Sequence, residues 1–194
     1  MNDPRLKTAR RWHDEAQRYL KEKDFFSAYF AGYISLAVFS ALFYSENCGG
    51  PTETADDQWE SKAIRYTLEK RAAALSLTLA GPPVPPEVAD LRSRVVHGVG
   101  DRPIMGAQSQ PDDALDMSTK TLYDLWSPLR TMGLTQAEAD RHARALETVF
   151  RKVRNRLFHG QKDYGVDTDA DLLERLTPVL LTVVTALLEH RGGK

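Results

Sequence analysis

Apolar residues recur at helical spacing along most of the chain, and the runs are separated by capping residues, glycines and prolines. Positions i, i+3, i+4 and i+7 share one face of an α-helix, so this rhythm marks helices packed on one side. Asp3-Pro4 opens the first run, with proline at the first helical position, where its missing N–H costs nothing. That run extends to about Glu22, with Trp12, Ala16, Tyr19 and Leu20 on its stripe. Asp24 is placed to cap a second run, FFSAYFAGYISLAVFSALFYS at 25–45, which carries no charge and stops near Cys48-Gly49-Gly50-Pro51. A third helix is predicted from about Gln58 to Ala80, with Trp59, Ala63, Tyr66 and the later leucines on its apolar face, ended by Gly81-Pro82-Pro83.

The middle of the chain is less regular. GPPVPP at 81–86 is a stiff break, a short helix is predicted from Glu87 to His97, and the Gly-, Pro- and Asp-rich residues 98–118 read as a loop. Another short helix falls within 119–130. Thr135 and Glu138 then form a capping box, in which each side chain bonds to the other's backbone N–H. It opens a long helix with Ala139, Ala143, Leu146, Val149, Phe150, Val153 and Leu157 on one face, closing at His159-Gly160. Residues 161–165 read as a turn. Asp167-Thr168 starts the last helix, which runs to about His190, with a kink expected at Pro178. No useful stretch alternates as a strand would. The pattern predicts an all-α helical bundle, one domain over 1–194, with an irregular helical insertion at about 81–130.

Composition narrows what such a bundle can do. The chain has 194 residues and a net charge of −1, which argues against a general polyanion binder and confines any nucleic-acid contact to a local patch. The single cysteine, Cys48, permits no disulfide within the chain and suits a reducing cytoplasm. The opening MNDPRLKTARRWHDEA has no apolar stretch of the kind a signal peptide needs. The uncharged run at 25–45 is long enough to cross a membrane. Serines, a glycine and three tyrosines dilute it, and Glu46-Asn47 rather than a basic cluster follows it, so a bundle-core helix in a cytoplasmic protein, with no membrane partner, is the expectation.

The candidate chemistry lies at the end of the long helix, in VFRKVRNRLFHGQKDYG at 149–165. Asn155 and His159 are four apart and share a face. Arg154 and His159 are five apart, about 140° around a straight helix at ~100° per residue, so they converge only if the helix loosens near Phe158 or if two subunits each supply a copy. Arginine offers a permanently charged fork that fits phosphate oxygens, and histidine can exchange a proton near neutral pH. Cleavage of RNA without a metal needs both: a base for the 2′-hydroxyl, an acid for the leaving 5′-oxygen, and a cation for the five-coordinate phosphate. The bland alternative is that Arg151, Lys152, Arg154, Arg156 and His159 merely complement the negative end of the helix dipole.

Arg154-Asn155-Arg156-Leu157-Phe158-His159-Gly160 resembles the signature of the HEPN superfamily: an arginine, a polar residue, a short spacer and a histidine. The Leu-Phe-His-Gly ending followed by Lys162 is similar to the branch associated with prokaryotic defence. The close resemblance covers roughly 135–190; the first two helices fit only in outline, and 50–130 match nothing. It implies a helical bundle that dimerises, with the motifs of both subunits lining a shared cleft. It further implies a metal-independent endoribonuclease acting on RNA, in a toxin–antitoxin or other defence system with a neutralising or associated partner protein. Arg154 would bind phosphate, His159 would be the catalytic histidine, and Asn155 the polar residue after the arginine. Arg156, Lys162 and Tyr164 are the candidate substrate contacts, Tyr164 by stacking on a base, beside the plainer reading of a turn aromatic packed on the bundle, which buries the ring. Some members of the superfamily are inactive and bind nucleotides or partner proteins instead.

Arg92 and His97, followed by Gly98, repeat the same spacing with Ser93 in place of the asparagine. They are secondary candidates beside the plain reading of a short helix ended by glycine. Of the other histidines, His13 is expected as a surface or half-buried polar residue, His142 among charged neighbours in solvent, and His190 at a helix C-terminus. Trp12, Trp59 and Trp126 read as core. No histidine pair carries the spacing of a helical zinc site, so neither metal nor other cofactor is expected.

Overall fold

The computed structural model describes residues 3–49, 59–80, 113–126, 133–158 and 167–190. Within them the chain is all-α: α1 Pro4–Lys21, α2 Phe25–Cys48, α3 Trp59–Lys70, α4 Ala72–Ala80, α5 Asp113–Leu125, α6 Gln136–Phe158 and α7 Asp167–His190. The expected helix at 87–97, the segment 98–112, residues 127–130 and the turn at 161–165 lie outside the described residues.

Local sequence sets the helix ends. Asp3 accepts the N–H of Arg5 at 2.8 Å, and Pro4 starts α1. At the other end Lys23 N–H bonds to Leu20 O at 3.0 Å and Asp24 N–H to Tyr19 O at 3.0 Å. That is the Schellman pattern, which needs a left-handed residue at its turn, and Lys23 supplies it at φ 60°. Asp24 then serves twice, because its carboxylate also accepts the N–H of Ser27 at 3.0 Å and caps α2. Three residues thus reverse the chain between α1 and α2. The capping box of α6 forms as expected: Thr135 N–H donates to Glu138 Oε2 at 2.8 Å, and Glu138 N–H to Thr135 Oγ1 at 3.4 Å.

α2 is the central helix, packed against α1, α3, α6 and α7. By length and hydropathy it could cross a membrane, yet much of its surface is buried inside the protein. Its small residues let neighbours approach. A Cβ on Gly32 would come 2.7 Å from Leu181 Cδ2 of α7. Two of its buried polar groups bond outward to other helices: Ser35 Oγ donates to Ala9 O of α1 at 2.7 Å, and Tyr29 Oη donates to Phe150 O of α6 at 3.0 Å. Residues from α1 through α7 contribute to one apolar core. α7 continues through Pro178.

Three expectations are corrected. The helix read as continuous from 58 to 80 divides at Arg71, although Arg71 N–H still bonds to Thr67 O and Arg71 O still accepts Leu75 N–H. The apolar rhythm runs unbroken through this point, so nothing in the pattern marks it. The predicted loop at 98–118 is helical from Asp113, and that helix ends at Leu125 rather than near 130. Leu115, Thr119, Leu122 and Trp126 follow one another at helical intervals and are buried, with Thr119 Oγ1 satisfied by Leu115 O at 3.0 Å. This part of 81–130 is therefore core rather than irregular insertion.

The third correction concerns His142, which is wholly buried instead of solvated. Its Nε2 accepts the indole N–H of Trp126 at 2.8 Å, joining α6 to the end of α5. Burial lowers its pKa to about 3, so the folded protein holds a neutral imidazole. Trp126 is core as expected, whereas Trp12 and Trp59 are half-buried.

Two outcomes follow. Lys23→Gly removes the strain of a side chain at positive φ and is expected to stabilise the chain by about 0.5–1 kcal/mol in chemical denaturation. The unfolded chain protonates His142 near pH 6.5 while the folded chain does not until about pH 3, so stability is lost as pH falls through that window. His13, whose pKa is lowered by burial, acts in the same direction. The loss from His142 alone should reach about 2 kcal/mol by pH 5, and His142→Gln should flatten the dependence of melting temperature on pH by that share.

Candidate functional site

α6 carries two stripes. Val149, Phe150, Val153 and Leu157 face the core. Beside them run the buried Glu147 and the half-buried Arg151, Arg154 and Asn155, where α6 meets α2 and α3. The spacing puts Glu147 and Arg151 one turn apart, and they form an ion pair at 2.7 Å. Arg154 follows on the same side of the helix.

The surroundings of Arg154 come from three helices. Its Nη1 donates to Asn155 Oδ1 at 3.0 Å, so the adjacent motif residues contact each other directly. Its guanidinium lies 5.7 Å from the ring centroid of Tyr33 on α2, within cation–π range. Its Nη2 is 3.8 Å from Glu60 Oε1 in the first turn of α3. Tyr33 Oη donates to that same oxygen at 3.0 Å. Burial, and then the neighbouring Glu60 carboxylate, push the Tyr33 phenol well above its usual pKa. It is a neutral hydroxyl that donates a hydrogen bond and cannot serve as a base near neutral pH.

Support for this arrangement begins one turn earlier. Tyr29, wholly buried on α2, donates its hydroxyl to Phe150 O, four residues before Arg154. Tyr29 and Tyr33 are four apart and share a face of α2, so one face of the central helix both fixes the backbone of α6 and supplies the ring under the arginine. Arg154 itself is about one-third exposed, at 31 %, and Glu60 at 42 %. The Arg154 side chain is therefore held by its neighbours yet partly exposed. A fork of N–H donors backed by an amide, an aromatic face and a neutral hydroxyl is suited to an anion such as phosphate.

Of the residues predicted for the site, Arg154, Asn155 and Arg156 are described, and the first two are brought together. Arg156 is half-buried on the same helix. His159, Lys162, Tyr164, Arg92 and His97 lie outside the described residues. Among the described residues, no three His, Cys, Asp or Glu side chains gather into a group that could hold a metal ion. Sequence reading missed Tyr33 and Glu60. Neither lies near Arg154 along the chain, although a tyrosine tip within an uncharged helix could have signalled that a polar partner waits there.

The chain matches no family model, no curated protein and no solved structure.

Arg154→Ala is expected to leave the fold intact. The ion pair with Glu60 and the contact with Tyr33 are both partly exposed, and such interactions contribute up to about 1 kcal/mol each. Urea denaturation should therefore show a loss of no more than about 2 kcal/mol for this variant.

Proposed function

We propose that this chain is a HEPN-like, metal-independent endoribonuclease that cleaves RNA by attack of the 2′-hydroxyl on the adjacent phosphate. The observation that carries the reading is the Arg154 guanidinium, held by Asn155 and the Tyr33 ring on a side chain that is 31 % exposed. It stands five residues before His159 on the chain. In this reading Arg154 binds a non-bridging phosphate oxygen and stabilises the charge that grows in the five-coordinate state. His159 moves the proton. One imidazole takes the 2′-hydroxyl proton and a second, from the other subunit of a homodimer, donates to the leaving 5′-oxygen. Asn155 orients the guanidinium through its side-chain oxygen. Arg156, Lys162 and Tyr164 contact the flanking nucleotides. No cofactor is invoked.

The resemblance of the 154–160 motif to HEPN proteins supports placing this activity in a prokaryotic defence or toxin–antitoxin system, restrained or triggered by a partner protein. A cytoplasmic setting fits the single cysteine and the packing of α2 against four other helices. A second reading, an inactive HEPN-like module that binds a nucleotide or a partner, is favoured by one observation: the acidic Glu60 already sits beside the arginine.

The two readings separate in one assay. Purified wild type, Arg154→Ala and His159→Ala are incubated with mixed RNA in EDTA. The ribonuclease reading expects cleavage by wild type that leaves 2′,3′-cyclic phosphate ends, reduced at least ~100-fold in each variant. Equal absence of cleavage by all three, with RNA or nucleotide binding retained, is the result expected of the binding module.

A further inference from the structure

Glu60 stands where an anion would be expected. Tyr33 Oη donates to its Oε1 at 3.0 Å, and Arg154 Nη2 lies 3.8 Å from the same atom. A hydroxyl donor from one helix and a cation from another thus meet at one anionic oxygen supplied by a third. To such donors, a carboxylate oxygen and a non-bridging phosphate oxygen are alike.

We infer that Glu60 is a resident counterion occupying a phosphate seat formed by Arg154 and Tyr33, and that a substrate phosphate enters by displacing its carboxylate. This rests on the reading of Arg154 as a phosphate-binding residue. The members of the group differ in freedom. Tyr33 is buried on the central helix, only 4 % exposed, and cannot withdraw. Arg154 is retained by Asn155 Oδ1 and by the Tyr33 ring whether or not Glu60 is present. Glu60 is the most exposed member at 42 %, and its carboxylate can rotate into water as the incoming phosphate takes its place beside Arg154. Its place in the first turn of α3 also favours a negative charge there after it has moved. The other nearby carboxylate, Glu147, is engaged by Arg151 at 2.7 Å and is not the group that yields.

Displacement rather than sharing is required. A phosphate beside a retained carboxylate would bring two negative charges within a few ångströms, and each disfavours the other. The consequence is selectivity. A lone phosphate ion competes poorly with a tethered carboxylate, whereas an RNA strand adds contacts along its backbone and bases that offset the exchange. The seat is closed to small anions and opens to a substrate that brings more than one phosphate.

The test uses the full chain and two probes, inorganic phosphate and a short RNA oligonucleotide. Glu60→Gln keeps an oxygen for Tyr33 to donate to but removes the charge. Glu69→Gln, on the same helix and paired with Arg65, controls for a general change in charge. Calorimetry is expected to show Glu60→Gln binding phosphate about tenfold more tightly than wild type, with no gain in Glu69→Gln and the gain abolished in Glu60→Gln/Arg154→Ala. With RNA, KM should fall in Glu60→Gln by a similar factor, with kcat changed less. Phosphate affinity in Glu60→Gln that is undetectable, equal to or weaker than wild type overturns the inference, as does a gain that survives removal of Arg154. A fall in kcat at unchanged KM would make Glu60 a residue that positions the arginine instead. If no chain cuts RNA, the ribonuclease reading falls on that arm, while the phosphate arm still decides the role of Glu60.

Discussion

The packing of α2 is the constraint on which the rest of this structure depends. A helix with no charge over 25–45 cannot be left in water, and here its surface is taken up by α1, α3, α6 and α7. Burying it creates a second requirement, because a polar group carried inside is costly without a partner. Ser35 and Tyr29 meet it by donating to backbone carbonyls of α1 and α6. The same interactions that satisfy these groups fix the position of the helices around α2. Gly32 lets α7 come close enough that a Cβ there would strike Leu181.

The candidate site is a by-product of that packing. Tyr29 bonds to the backbone of α6 and Tyr33, one turn on, places its ring under Arg154. α3, lying against both α2 and α6, adds Glu60. The site therefore has a rigid floor from the central helix and a charged wall from α6. Its third side, from α3, carries the most exposed side chain of the group. Such a division suits ligand exchange: the cation and the hydroxyl stay in place and the counterion moves.

Much of the fold was legible because local signals and the apolar rhythm agreed. Asp3-Pro4, Asp24 and the Thr135–Glu138 box each formed the cap that their residue types imply. The divided helix at Arg71 was not legible, since the apolar spacing continues across it. His142 was misread from its neighbours Asp140, Arg141 and Arg144. Its phase relative to Ala139 and Leu146, three before and four after, points inward, and phase proved the better guide than adjacency. Residues 113–118 were misread because their aspartates suggested a loop, although Leu115 and Leu122 lie at helical spacing. Of the site, the sequence indicated Arg154 and Asn155. It could not indicate Tyr33 or Glu60, which share no local pattern with the motif and reach the arginine only through tertiary packing.

Phosphate handling by Arg154 is tested most directly by a crystal structure of the chain with a 2′-deoxy analogue of an RNA oligonucleotide, which lacks the attacking hydroxyl and cannot be cut. The expected result is a phosphate oxygen within hydrogen-bond distance of both the Arg154 guanidinium and the Tyr33 hydroxyl, with the Glu60 carboxylate turned into solvent and His159 against the same phosphate. A bound oligonucleotide that leaves Arg154 beside Glu60, with its phosphates held elsewhere on the surface, would contradict it.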